Sequence, residues 1–110
     1  MDLSIGIVNC NNEELLKRCL GSIYTYTKGI KFQVLVVDNN STDGSLQMLQ
    51  EEFPQVDIIA NKTNLGFSKA VNQTIRGSNS DYIFICNSDV FFKDNALPNM
   101  LSYIQTNPRV

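Results

Sequence analysis

Two carboxylates in this chain stand at the ends of apolar runs: Asp38 closes residues 32–37, and Asp89, after Asn87 and Ser88, falls between residues 82–86 and Val90, Phe91 and Phe92. A carboxylate set among hydrophobes is costly to desolvate unless a cation compensates, and a divalent metal is one such cation. The other reading of Asp89 is an ordinary turn in which its side chain caps a backbone amide. Around the two acids stand amides: Asn9 and Asn11, then Asn39 and Asn40, then Asn61 and Asn64, then Asn87. An amide offers donor and acceptor together, which suits a nucleobase edge or sugar hydroxyls, although such residues also build ligand-free turns. Two carboxylates near one crevice either repel, hold a cation between them, or divide labour between a base-reading contact and a metal; the amides point to the last. The chain has no histidine. The commonest general base and the commonest transition-metal ligand are therefore missing, leaving carboxylates, amides and backbone for any chemistry.

The elements that must position these groups follow from the apolar spacing. Residues 3–8 are dense in β-branched side chains and suit a strand buried on both faces. Leu15, Leu16, Cys19, Leu20 and Ile23 then recur at helical spacing, with Glu13 and Glu14 in the first turn, where the helix dipole favours acids. Residues 32–37 form a second strand. The polar stretch 38–45 leads into a helix carrying Leu46, Leu49 and Phe53, which Pro54 stops, with Asp43 placed to begin it. A short strand over 56–60 precedes a helix marked by Phe67, Ala70, Val71 and Ile75, ended by Gly77 and Ser78. After the strand over 82–86, Asp94 or Asn95 is placed to cap a last helix with Leu97, Met100, Leu101 and Ile104; Pro98 lies in its first turn and Pro108 ends it. Alternating strands and helices predict an α/β fold, a Rossmann-like, mostly parallel sheet with helices on both faces. In such sheets ligands bind beyond the carboxyl ends of the strands, and every polar break falls there.

Composition narrows the function. The 110 residues make at most one domain, with 43% hydrophobic and 18% charged residues, so disorder is excluded. A net charge of −2 gives no polyanion surface, so nucleic acid is not an expected partner, whereas one locally bound nucleotide is compatible. Cys10, Cys19 and Cys86 have no CxxC spacing and read as reduced cytoplasmic thiols, with Cys10 a small buried hydrophobe. The opening residues, without a basic region or a long apolar segment, lead to no expectation of a signal peptide or membrane span there. Neither a G-x-G-x-x-G after the first strand nor a G-x-x-x-x-G-K-[ST] occurs, so a dinucleotide dehydrogenase and a P-loop NTPase lack support. Phosphate charge would then be met by a divalent ion on Asp89, with Lys69 as a further cation or simply as a solvated side chain.

The stretches Ile7-Val8-Asn9-Cys10-Asn11, Val36-Val37-Asp38-Asn39-Asn40-Ser41-Thr42-Asp43-Gly44-Ser45, Asn64-Leu65-Gly66-Phe67 and Asn87-Ser88-Asp89 together resemble the start of a family 2 glycosyltransferase. The flavour is the bacterial rhamnosyltransferase-like group, and the resemblance runs in register from about residue 3 to residue 110. It implies a GT-A fold in which a nucleotide-sugar-binding half precedes an acceptor-binding half. It also implies that Asp38 hydrogen-bonds the pyrimidine base, that Asn9 and Asn11 line the nucleotide pocket with Asn40, and that Asn64 and Gly66 shape its wall. Asp89 takes the last place of a D-x-D-like motif, where manganese or magnesium bridges to the diphosphate. Two positions depart from the family pattern: Asn87 stands where many members carry the first Asp, and Cys10 where an aromatic is often found.

On this resemblance residues 1–110 are the nucleotide-sugar-binding part, truncated before the acceptor-binding half, and the catalytic base of an inverting reaction is expected beyond Val110. The expected partners are a UDP- or dTDP-linked sugar and a glycan or lipid-linked acceptor, in the cytoplasm or at the inner face of the membrane. Uncovered apolar surface around Val90, Phe91 and Phe92 is expected to make the isolated chain self-associate. The rival functions are a non-catalytic nucleotide-binding module and a nucleotidyltransferase; the latter wants a glycine-rich basic loop where residues 9–14 offer none.

Overall fold

The computed structural model describes residues 1–106. They alternate as β1 (Leu3–Asn9), α1 (Glu13–Tyr26), β2 (Phe32–Asn39), α2 (Ser45–Glu52), β3 (Asp57–Asn61), α3 (Phe67–Gly77), β4 (Ile83–Asn87) and α4 (Ala96–Thr106). The expected helix stop at Pro108 lies outside the described residues. The strands form one sheet in the order β3-β2-β1-β4, and every pairing is parallel.

Chain direction explains where the helices lie. From β1 to β2 to β3 the chain moves outward in one direction, so right-handed crossovers put α1 and α2 on the same face. From β3 it returns past β1 to β4, and the reversed direction puts α3 on the opposite face. The burial agrees with this. Ile5, Ile7, Val34 and Val36 share a core with Leu16, Leu20 and Ile23 of α1, Met48 and Leu49 of α2, and Leu97 and Leu101 of α4. On the other face α3 comes so close that a Cβ on Gly6 would lie 2.8 Å from Thr74 Cβ. Glycine is needed at Gly6 for that approach, whereas the flanking Ile5 and Ile7 fill the thicker side.

Three expectations about packing are corrected. Leu15 is exposed while its neighbours Leu16, Cys19 and Leu20 are buried, because only one stripe of α1 meets the sheet. In α3 the buried residues are Ala70 and Thr74, and Phe67 and Ile75 face outward. Thr74 is tolerated there because its hydroxyl donates to Val71 O at 2.6 Å. Phe92, expected to be uncovered, is buried; its ring meets Phe84 edge-on at 5.7 Å and its N–H donates to Ser22 Oγ at 2.9 Å. Val90 packs against the core, and the exposed Phe91 carries the Arg18 guanidinium 5.6 Å above its ring.

The last helix also starts differently from expectation. Asn95 stands at the N-cap, its carbonyl accepting from Asn99 N–H at 3.1 Å, but its side chain is turned elsewhere, its Oδ1 accepting from Lys28 N–H at 3.0 Å, and Asp94 takes a left-handed φ of 52°. Among the described residues no helix is long and apolar enough to cross a membrane.

Candidate functional site

Strand order reverses at β1, whose neighbours are β2 on one side and β4 on the other. At that switch point the carboxyl ends of β1 and β4 diverge, which is where open parallel sheets hold ligands. An open pocket of about 260 Å³ occurs there, lined by Val8, Cys10, Asn12, Asn87, Ser88 and Asp89. Val8 and Asn87 are register partners, so their side chains leave the same face of the sheet.

The segment 87–90 is a tight turn, with Val90 N–H donating to Asn87 O at 3.3 Å. It turns Ser88 inward, 2% exposed, where its hydroxyl accepts from Asn12 Nδ2 at 3.3 Å, and it turns Asp89 outward. The turn expected as the alternative is therefore present, but Asp89 does not cap an amide: among the described residues its carboxylate has no hydrogen-bond or ion-pair partner. Next to it, the Cys86 thiol is pushed far up in pKa by its hydrogen bond with Cys19 and then by burial, so it stays neutral.

Asp38 lies on the opposite face from this pocket. It pairs in register with Asn9, one residue beyond the Val8–Val37 pair, and side chains alternate faces along a strand. Asp38 is fully buried. Its Oδ1 accepts from Ser41 Oγ at 2.7 Å and Asn9 Nδ2 at 2.9 Å, and its Oδ2 accepts from Ser41 N–H at 2.9 Å. Asn9 is 1% exposed, and its Oδ1 is buried without a partner. Asn11 has a left-handed φ of 54°; its N–H donates to Ser41 Oγ at 2.9 Å, and its Oδ1 accepts from Thr42 N–H at 2.7 Å and Asp43 N–H at 3.3 Å. The loops after β1 and β2 are closed further along by Glu13 N–H donating to Asp43 Oδ2 at 3.1 Å and Gly44 N–H donating to Glu13 Oε1 at 3.0 Å.

The remaining expected residues lie around the same rim. Asn40 is exposed with a left-handed φ of 60°. Asn64 Oδ1 accepts from Gly66 N–H at 2.9 Å, and its Nδ2 donates to Cys10 Sγ at 3.9 Å, so this turn reaches the pocket edge. Gly66 has φ 84° and ψ 170°, a conformation that only glycine takes freely, and it opens α3. Lys69 is exposed in the first turn of that helix. The expected set thus divides: Asn87 and Asp89 line the pocket, Asn64 borders it, and Asn9, Asn11 and Asp38 build the loops behind it. Cys10, expected to be a buried hydrophobe, is half-buried and lines the pocket, its thiol donating to Asn39 O at 3.4 Å. Asn12, Ser88 and Ser41 had no assigned role in the sequence. Carrying the strand alternation two residues past Val8 would have put Cys10 on the pocket face and Asn9 away from it.

The residues present fit a divalent cation held jointly with a ligand. Among the described residues no group of three or more His, Cys, Asp or Glu comes together. Asp89 and the Asn87 amide would hold the ion with hard oxygens, and phosphate oxygens and water would complete its ligands, as magnesium and manganese sites often have it.

The description "Glycosyl transferase family 2" matches residues 4–110. The N-acetylglucosaminyl-diphospho-decaprenol L-rhamnosyltransferase of Mycobacterium tuberculosis is 30% identical over 105 residues, covering 86% of this chain and 34% of that protein. In fold, the chain is similar to S. aureus TarS, with a TM-score of 0.86 at 22% identity over 96% of this chain and 33% of that one. It is likewise similar to the mannosyltransferase PcManGT from Pyrobaculum calidifontis, with a TM-score of 0.82 at 22% identity over 93% of this chain and 32% of that one. The chain therefore spans about a third of the length of each of these proteins. The α/β sheet described above is thus of the GT-A type, and the chain belongs to glycosyl transferase family 2.

Proposed function

We propose that the pocket between β1 and β4 receives the nucleoside diphosphate of a pyrimidine-nucleotide sugar, UDP- or dTDP-linked, and that a manganese or magnesium ion on Asp89 joins the protein to the diphosphate. The carrying observation is the exposed Asp89 carboxylate, unpartnered among the described residues, at the mouth of a switch-point pocket. When bound, the ion supplies electrostatic neutralisation of the leaving diphosphate. Asp89 and Asn87 hold the ion, and Asn64 and Gly66 form the pocket wall. Lys69 stands on the same rim as a second cation, while Asn9, Asn11, Asn40 and Asp38 belong to the loops behind it. Support comes from complexes of TarS with UDP and UDP-GlcNAc and of PcManGT with GDP-Man and Mn2+.

In the whole protein this chain is the donor-binding part. The transfer goes to a glycan or lipid-linked acceptor on the cytoplasmic side, with inversion and with a carboxylate base supplied from outside these residues. By themselves the 110 residues bind the donor without turning it over, and they self-associate.

The test is titration calorimetry of UDP, dTDP and GDP with and without manganese, on the chain and on Asp89→Ala. Metal-dependent binding of UDP or dTDP, lost in Asp89→Ala, is the expected result. Binding that ignores both the metal and the substitution overturns the metal assignment, and a preference for GDP overturns the pyrimidine one.

A further inference from the structure

Asn9, Asn11, Asp38 and Ser41 carry a network whose cost points to function. Ser41 Oγ is the hub: it donates to Asp38 Oδ1 at 2.7 Å and accepts from Asn11 N–H at 2.9 Å and Asn9 Nδ2 at 3.3 Å. A hydroxyl has one donor and two acceptor positions, so Ser41 is saturated. Asp38 fixes the Asn9 amide with its NH2 inward, because the opposite orientation would set two oxygens against each other. That choice leaves Asn9 Oδ1 buried with no partner. Folding stability alone disfavours an orphaned buried acceptor, and native proteins retain such groups chiefly where another demand is being met.

The demand is visible in what the network holds. Asn9 and Asn11 flank Cys10, and Asn11 is followed by Asn12; Cys10 and Asn12 line the pocket. Asn11 is held in its left-handed conformation from both sides, by its own N–H on Ser41 Oγ and by its Oδ1 under Thr42 and Asp43 N–H. From Asn12 the constraint passes to Ser88 through the 3.3 Å hydrogen bond across the pocket floor, and Ser88 is the residue before Asp89. The loop after β2, which itself contributes no pocket lining, thus sets the loop after β1 and through it the turn that presents the carboxylate.

We infer that Ser41 and Asn11 are positioning residues for the nucleotide pocket: they act through Cys10, Asn12 and Ser88 and need no contact with the ligand. This rests on the reading of the pocket as a nucleoside diphosphate site, and the test separates the two. Ser41→Ala, Ser41→Thr, Asn11→Gly and the double variant Ser41→Ala/Asn11→Gly are titrated with UDP and manganese beside the unaltered chain. Leu101→Ala, in α4 and remote from the pocket, serves as a variant destabilised by other means. Glycine accepts the left-handed backbone, so Asn11→Gly removes the side-chain bonds without strain.

Ser41→Ala and Asn11→Gly are each expected to weaken UDP binding by about tenfold, the worth of one well-made hydrogen bond. The double variant is expected to lose clearly less than the product of the two, because both cut one network. Ser41→Thr keeps the hydroxyl and restores affinity, and Leu101→Ala binds normally despite a lower Tm. Without ligand, the amide resonances of Cys10, Asn12 and Ser88 shift in both single variants, and those of α4 do not. Should Ser41→Ala fail to fold, Asn11→Gly and its spectra decide.

If the unaltered chain binds no UDP, the nucleotide reading fails, and the resonance shifts alone judge the coupling. If it binds UDP and both variants bind as tightly, or if Cys10, Asn12 and Ser88 keep their resonances, the positioning role is overturned while the pocket stands. Equal weakening by Leu101→Ala overturns it as well.

Discussion

Asp43 bonds to the first residue of two helices at once. Its Oδ1 accepts from Ser45 N–H at 2.9 Å and Ser45 Oγ at 2.6 Å, and its Oδ2 accepts from Glu13 N–H at 3.1 Å. Burial works to raise its pKa, but the hydrogen bonds from Ser45 and Glu13 outweigh it and hold the carboxyl below its ordinary value of 3.8. A native pKa below the unfolded one means that this contribution to stability is complete above the ordinary value and is lost as pH falls through the native one. Asp43→Asn is therefore expected to lower Tm at neutral pH and to shrink that loss below about pH 4, measured by thermal melts across pH.

Asp38 and Asp89 should differ in the same kind of experiment. Removing the buried Asp38 strands Asn9 and Ser41 donors, so Asp38→Ala is expected to cost about 2–3 kcal/mol. Among the described residues Asp89 has no partner to strand, and Asp89→Ala is expected to change stability by less than about 0.5 kcal/mol in denaturant melts. From sequence both acids were legible as strand-ending carboxylates. That Asp38 is buried in loop hydrogen bonds while Asp89 is exposed was not, because it depends on where the strand alternation and the turn at 87–90 send each side chain.

At the scale of elements, apolar spacing located all eight segments, and the strands run one or two residues further into the polar breaks than the apolar runs suggest: β1 includes Asn9 and β2 includes Asp38 and Asn39. Backbone pairing continues there because hydrogen bonds to the neighbouring strand do not depend on side-chain polarity. Helix α3 was the hardest to orient. Its inward residues are Ala70 and Thr74, small enough to sit on Gly6, whereas Phe67 and Ile75, which define its apolar period, face outward. The large residues therefore mislead wherever a helix approaches a sheet closely. Gly6→Ala puts a methyl 2.8 Å from Thr74 Cβ and is expected to destabilise by about 1–3 kcal/mol, read from chemical melts, with Gly6→Ala/Thr74→Ala recovering part of it.

Across the whole molecule, one reversal of chain direction does two things: it puts α3 alone on one face, and it opens the crevice between β1 and β4. The alternation of elements and the polar strand ends made both the α/β class and the ligand-bearing rim legible, since parallel strands bring all their carboxyl ends to one edge. Among the described residues the exposed apolar side chains include Leu65, Phe67 and Ile75 at α3, Met100 and Tyr103 on α4, and Phe91 but not Phe92. The half-buried strand β4 ends the described sheet at one edge. Gel filtration of the isolated chain is accordingly expected to show concentration-dependent self-association, and a monomer at every concentration would contradict that.

The claim on which the functional reading turns is that Asp89 and a nucleotide share one metal ion. Paramagnetic broadening by manganese of the backbone amide resonances measures it directly, titrated with and without UDP. The predicted result is broadening centred on Asn87, Ser88, Asp89 and Val90 that grows sharply when UDP is present and disappears in Asp89→Ala. Broadening that is centred elsewhere, on Glu13, Glu14 and Asp43 for instance, or that is indifferent to UDP, would contradict it.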